Sequence, residues 1–190
     1  MANSPTIKQL ISRTRGVEAS EYFESFFLSS PDALDQAAGD ILSKAPSSFN
    51  SCAMLSAMWV AYLKENYAIP AVVVVGDLKV SGKMIFKCKK NLPEPTESNM
   101  LISSNWDGHC WIEIDGWIGD LSVLITAYNM QEGGHLKDFV QSHFGINKGA
   151  LISHKDDLPT GMKYIPKFVL KDSQVDNLVS GFLQIIQHRR

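Results

Sequence analysis

The stretch HCWIEIDGWIGDLSV, residues 109–123, limits the possible folds more tightly than any other part of the chain. Asp115-Gly116 is a strong two-residue hairpin turn flanked by Trp and Ile, so two antiparallel strands meet across it. A two-residue loop fixes the register: Ile114 faces Trp117, Ile112 faces Gly119, Trp111 faces Asp120 and His109 faces Ser122. Directly opposed residues share a face, as do alternate residues along a strand. His109, Trp111, Glu113, Ile118, Asp120 and Ser122 therefore fall on one face, and Cys110, Ile112 and Ile114 on the other. His109 and Asp120 become diagonal neighbours, roughly 7–8 Å apart at the backbone and within reach of a side-chain hydrogen bond.

Upstream, the polar loop KAPSSFNS ends in Asn50 and Ser51, both good N-caps, and predicts a helix running to about Glu65. Its residues are apolar nearly all round, the mark of a helix enclosed by its protein. Pro70 then marks the start of AIPAVVVVGDLKV, whose four consecutive valines predict a strand buried on both faces, with KMIFKC returning as a partner strand. Residues 1–45 read as a helical N-terminal preface, and the polar, proline-marked 90–106 stretch as a surface loop. Towards the C-terminus, GGHLKDFVQSHFG suggests a short helix and MKYIPKFVL a strand whose proline favours an edge. SQVDNLVSGFLQIIQHRR suggests an amphipathic helix capped at Ser173. The expected architecture is α+β: one domain over residues 1–190, with a central helix against a mainly antiparallel sheet and helices at both ends.

Charge and composition restrict the partners. With 18 basic and 20 acidic residues and a formal net charge of -2, the chain offers no electrostatic footprint for nucleic acid or an anionic membrane. No apolar run approaches a membrane span, and nothing near the N-terminus resembles a secretion signal, so a cytoplasmic location is expected. Three widely spaced cysteines argue against a disulfide framework, and each thiol needs its own explanation.

Cys52 stands at the start of the apolar helix. There it feels the positive end of the macrodipole and unpaired backbone N–H groups, which favour thiolate and can hold an oxyanion. A histidine to manage the thiol proton and an aspartate to orient that imidazole complete a catalytic set of Cys52, His109 and Asp120. Asp107 is a second carboxylate close to His109, better suited to capping its loop. Trp111, on the His109 face, is either ordinary packing or, as a candidate substrate contact, a wall of the cleft, and Trp106 and Ser51 are further candidates for contacting substrate. Cys88 and Cys110 read as packing, and His135, His143, His154 and His188 have no partner signal. No close Cys or His pairing suggests a metal site, and neither a glycine-rich phosphate loop nor a nucleotide fingerprint occurs, so no cofactor is expected.

The run CAMLSAMWVAYLKENYAIPAVVVVG resembles the transglutaminase-like branch of the papain-like cysteine enzymes, in which a helix-starting Cys precedes a GIPA-x-x-V-x-G strand. HCWIEIDGWIGDLSV is similar to that branch's HAW-x-E-V-x-GW…D strand pair. Ala68 stands where the family pattern has Gly. The resemblance covers residues 48–123 and implies a papain-like core with Cys52 as nucleophile, His109 as general base and Asp120 as orienting residue. The implied activity is cleavage of an amide bond in a peptide or protein through an acyl-thioester, as in a protease, deamidase or amidase. The alternatives are acyl transfer of the cross-linking kind, or a binding module that retains the fold without catalysis.

Overall fold

The computed structural model of the chain describes residues 5–45, 51–95 and 106–187. The 46–50 and 96–105 parts of the two loops, with Asn50, and the terminal His188 lie outside the described residues. Among the described residues the order is α1 (Ile7–Arg15), α2 (Val17–Ser25), α3 (Asp32–Lys44), α4 (Cys52–Tyr67), β1 (Val72–Val80), β2 (Lys83–Phe86), β3 (His109–Ile114), β4 (Trp117–Asp120), α5 (Val123–Asn129), α6 (His135–Phe144), β5 (Leu151–His154), a 3-10 turn (Lys155–Asp157), β6 (Met162–Val169) and α7 (Asp172–Gln187). The class is α+β, and every strand pairing described is antiparallel.

The central helix α4 begins where its cap dictates. Ser51 Oγ accepts from the Met54 N–H, the Ser51 carbonyl accepts from the Leu55 N–H, and the first helical residue is Cys52. The helix ends at Ala68, which takes the left-handed conformation at φ 54°, a conformation glycine reaches without strain.

Strand β1 is the axis of the sheet. It pairs with β3 along Val72–Gly76, with β2 along Leu78–Val80 and with β6 along Val74–Val80. Because β6 overlaps both other partners, β3 and β2 must share the opposite edge of β1, one after the other. Phe86, opposite Leu78, and His109, opposite Gly76, thereby meet on one face of the sheet. Pro166 sits in β6, which pairs only with β1 among the described strands, beside a register shift at Val75/Gly76; an edge strand with an irregular ladder tolerates a missing N–H. The hairpin register agrees with the sequence at Ile112–Gly119, Glu113–Ile118 and Ile114–Trp117. Asp115 and Gly116 both take positive φ, at 46° and 78°, as a primed turn requires.

Alternation along β1 divides the protein into two cores. Val73 and Val75, with Cys110, Ile112 and Ile114, pack under α3, α4 and α7. Val72, Val74, Leu78 and Val80, with Trp111 and Ile118, pack under α1, α5 and α6. Helices thus cover both faces of the sheet. The N-terminal helices are built into these layers: Leu10 and Ile11 of α1 are buried in the second core, and Arg15 donates to the Leu170 carbonyl and pairs with Asp172. Helix α7 begins at Asp172, one residue before the expected Ser173 cap. Helix α5 and strand β5 carry no clear periodicity, and the sequence does not predict them.

Candidate active site

A cleft of about 670 Å³ opens at the N-terminus of α4, with Ser51, Cys52, Phe86, Trp106, Asp107 and His109 among its lining residues. Cys52, half-buried, lies 4.3 Å from His109, within the looseness usual for a ligand-free site. His109 is buried, and its Nε2 lies 2.5 Å from Asp120 Oδ2. That contact commits Nε2 to the carboxylate and leaves Nδ1 as the ring nitrogen free to serve a thiol.

Asp120 is fully buried and satisfied on both oxygens. Its Oδ1 accepts from the Ser122 N–H, the Ser122 hydroxyl and the Val123 N–H, which holds the first turn of α5. Its Oδ2 receives the Tyr164 hydroxyl at 2.9 Å beside the imidazole. Tyr164 is opposite Leu78 in β6, so the sheet pairing brings it to the His109 face. Phe86 stacks on the imidazole at a centroid distance of 4.7 Å and an interplanar angle of 8°. The ring is therefore held in plane by Phe86 and along its edge by Asp120.

The electrostatics favour an ion pair. The Cys110 thiol donates a hydrogen bond to the Cys52 sulfur, burial opposes charge, and the nearby imidazole favours it; together these bring the Cys52 thiol down to about 5. Burial works against the His109 cation, but the Asp120 carboxylate and the Cys52 sulfur outweigh it and lift the imidazole to about 10. Asp120, despite its burial, is held below the usual carboxylate range by His109 and by the Ser122 and Val123 N–H groups. Between about pH 5 and pH 10 the stable state is thiolate with imidazolium.

Of the residues singled out from sequence, Cys52, His109 and Asp120 come together here. Trp106 borders the cleft, with its Nε1–H donating to the Lys90 carbonyl, and Ser51 lines it as the helix cap. Asp107 is exposed and pairs with Lys89, away from the imidazole edge that Asp120 occupies. Trp111 needs correcting. It is fully buried behind His109 and does not wall the cleft. Its Nε1–H donates to Glu113, and its ring fills space left by Gly76, where a Cβ would lie 2.7 Å from it. The second helical layer covers that face, which strand register alone does not reveal.

Sequence reasoning missed three participants. Tyr164 lies 44 residues from its carboxylate partner. Phe86 belongs to KMIFKC, a strand whose face the sequence alone does not assign. Cys110 packs on the opposite face from His109, directly under α4, which brings its thiol to Cys52 at the start of that helix. No group of three or more side chains arranged to hold a metal ion occurs among the described residues. His135 bonds to the Val80 carbonyl, and His143 and His154 likewise make contacts outside the cleft. No described helix is long and apolar enough to cross a membrane.

No family model and no curated protein matches the chain. A solved structure described only as a genomics target is similar at 14% identity and a TM-score of 0.40, covering 85% of this chain and 78% of that one.

Proposed function

We propose that this protein is a cysteine-dependent enzyme with a papain-like, transglutaminase-like core that cleaves an amide bond of a peptide or protein substrate. The observation that carries the reading is the Cys52 thiol, at a helix N-terminus and open to a cleft, beside an imidazole that a buried carboxylate orients. Cys52 Sγ attacks the substrate carbonyl carbon. The N–H groups of Cys52 and Ala53, first-turn donors with no carbonyl partner inside the helix, favour the oxyanion that forms. The His109 cation gives its proton to the leaving nitrogen as the C–N bond breaks, leaving an acyl-thioester and a neutral imidazole. Water then gives a proton to that imidazole and attacks the thioester, releasing the acid and restoring thiolate and imidazolium. Hydrolysis is the default because the cleft is open to solvent.

Three free thiols suit a reducing, cytoplasmic compartment. The test compares wild type with Cys52→Ala in a cell lysate, mapping new peptide termini and deamidated Gln or Asn by mass spectrometry. Products that require Cys52 support the reading, and their type decides between peptide and side-chain amides. Identical product sets from the two proteins overturn it.

A further inference from the structure

We propose that Cys52 and Cys110 form a reversible disulfide on exposure to peroxide, with Cys52 as the sulfur oxidised first and Cys110 as the resolving thiol. Cys110 follows His109 on β3 and belongs to the apolar core beneath α4; Cys52 packs against that same core and lies 4.3 Å from His109, so the two thiols are neighbours. Cys52 is half-buried and lines the cleft, whereas Cys110 is fully buried and Cys88 is buried with its thiol directed at the Lys90 carbonyl. An oxidant arriving through the cleft therefore meets only the first of the three sulfurs. The same burial raises the Cys110 thiol well above the ordinary range and keeps it protonated until a neighbouring electrophile appears.

The chemistry balances with hydrogen peroxide as the oxidant. The Cys52 thiolate attacks one peroxide oxygen, the O–O bond breaks, and the hydroxide released takes the imidazolium proton to become water. Cys52 is then a sulfenic acid and His109 is neutral. The Cys110 sulfur attacks the Cys52 sulfur, the S–O bond breaks, and the departing oxygen leaves as a second water carrying the Cys110 proton. The two sulfurs lose two electrons, which the peroxide gains. The link removes the nucleophile, blocks its climb to sulfinic acid and ties α4 to β3. A cellular dithiol reverses it by exchange through the half-exposed Cys52 sulfur.

The experiment treats fully reduced protein with limiting hydrogen peroxide, blocks the remaining thiols by alkylation, and maps peptides without reduction. A Cys52–Cys110 linked peptide that disappears on dithiothreitol treatment is expected. In Cys110→Ala the same exposure should convert Cys52 to sulfinic and sulfonic acids, with a several-fold larger share that dithiothreitol does not recover. Cys88→Ala should behave as wild type. The inference is overturned if wild-type Cys52 reaches sulfinic acid while Cys110 remains alkylatable, or if the link formed joins Cys88. The wild-type map needs no variant to fold and no substrate, so its outcome is separate from that of the lysate test.

Discussion

Alkylation of the unmodified protein by iodoacetamide across pH tests the ion pair directly. With Cys52 at about 5, roughly nine-tenths of it is thiolate at pH 6, against about one part in a thousand for a thiol near 9. Lower basicity also lowers intrinsic nucleophilicity: a sensitivity of about 0.45 per unit over four units reduces it some sixtyfold. The two factors leave Cys52 about ten times faster than an ordinary exposed thiol at pH 6, and slower than one above about pH 7. The rate should fall below about pH 5 and stay flat from about pH 6 to pH 9. Peptide mass spectrometry reads each cysteine separately, and buried Cys88 and Cys110 should lag. A Cys52 rate that climbs tenfold per unit from pH 6 to pH 8 would refute the ion pair.

Three further substitutions separate the parts of the site. In Asp120→Asn the Oδ1 contacts to Ser122 and Val123 can persist, but the imidazolium loses its counter-charge. The Cys52 titration should then move up by more than one unit and turnover should fall on the order of ten- to a thousand-fold, both read beside Asp107→Asn, which should be silent. Tyr164→Phe removes one donor from Asp120 and leaves a more basic carboxylate, so the upper limit of the alkylation plateau should shift to higher pH while urea denaturation shows a loss of about 1–2 kcal/mol. An unchanged plateau would mean that the hydroxyl only packs. Glu113 is pushed up to about 7 by burial, against the opposing Trp111 hydrogen bond and Lys155, so its favoured form in the folded protein is the neutral acid. Its contribution is full below the unfolded value near 4.5 and is lost as pH rises through about 7, so Glu113→Gln should gain up to about 3 kcal/mol relative to wild type at pH 8 and nothing at pH 4. Equal differences at both pH values in urea melts would rule this out.

What the sequence disclosed depended on how local the signal was. The hairpin was legible because Asp115-Gly116 fixes a register and strand period carries it outward to both His109 and Asp120. The position of Cys52 was legible because Ser51 caps the helix immediately before it. Trp111 shows where this stops: strand period assigns a face, but whether helices cover that face depends on α1, α5 and α6, elements remote in the chain. Helix α5, VLITAYN, is short and rich in residues that also suit strands, and it forms where Asp120 satisfies its first N–H groups. Tyr164 and Cys110 reach the site through strand pairing and helix overhang, which no single stretch of sequence encodes.

The carboxylate of Asp120 starts a helix with one oxygen and orients the imidazole with the other. Opening of α5 strips Oδ1 of the donors that fix the carboxylate's orientation, so the Oδ2 contact to His109 loses its anchor and the thiol is expected to lose a fixed charged neighbour in the same event. Amide hydrogen exchange in residues 123–129 and the loss of the fast-reacting Cys52 population should share one opening free energy. The reactive thiol is then a gauge of how often this small helix lets go.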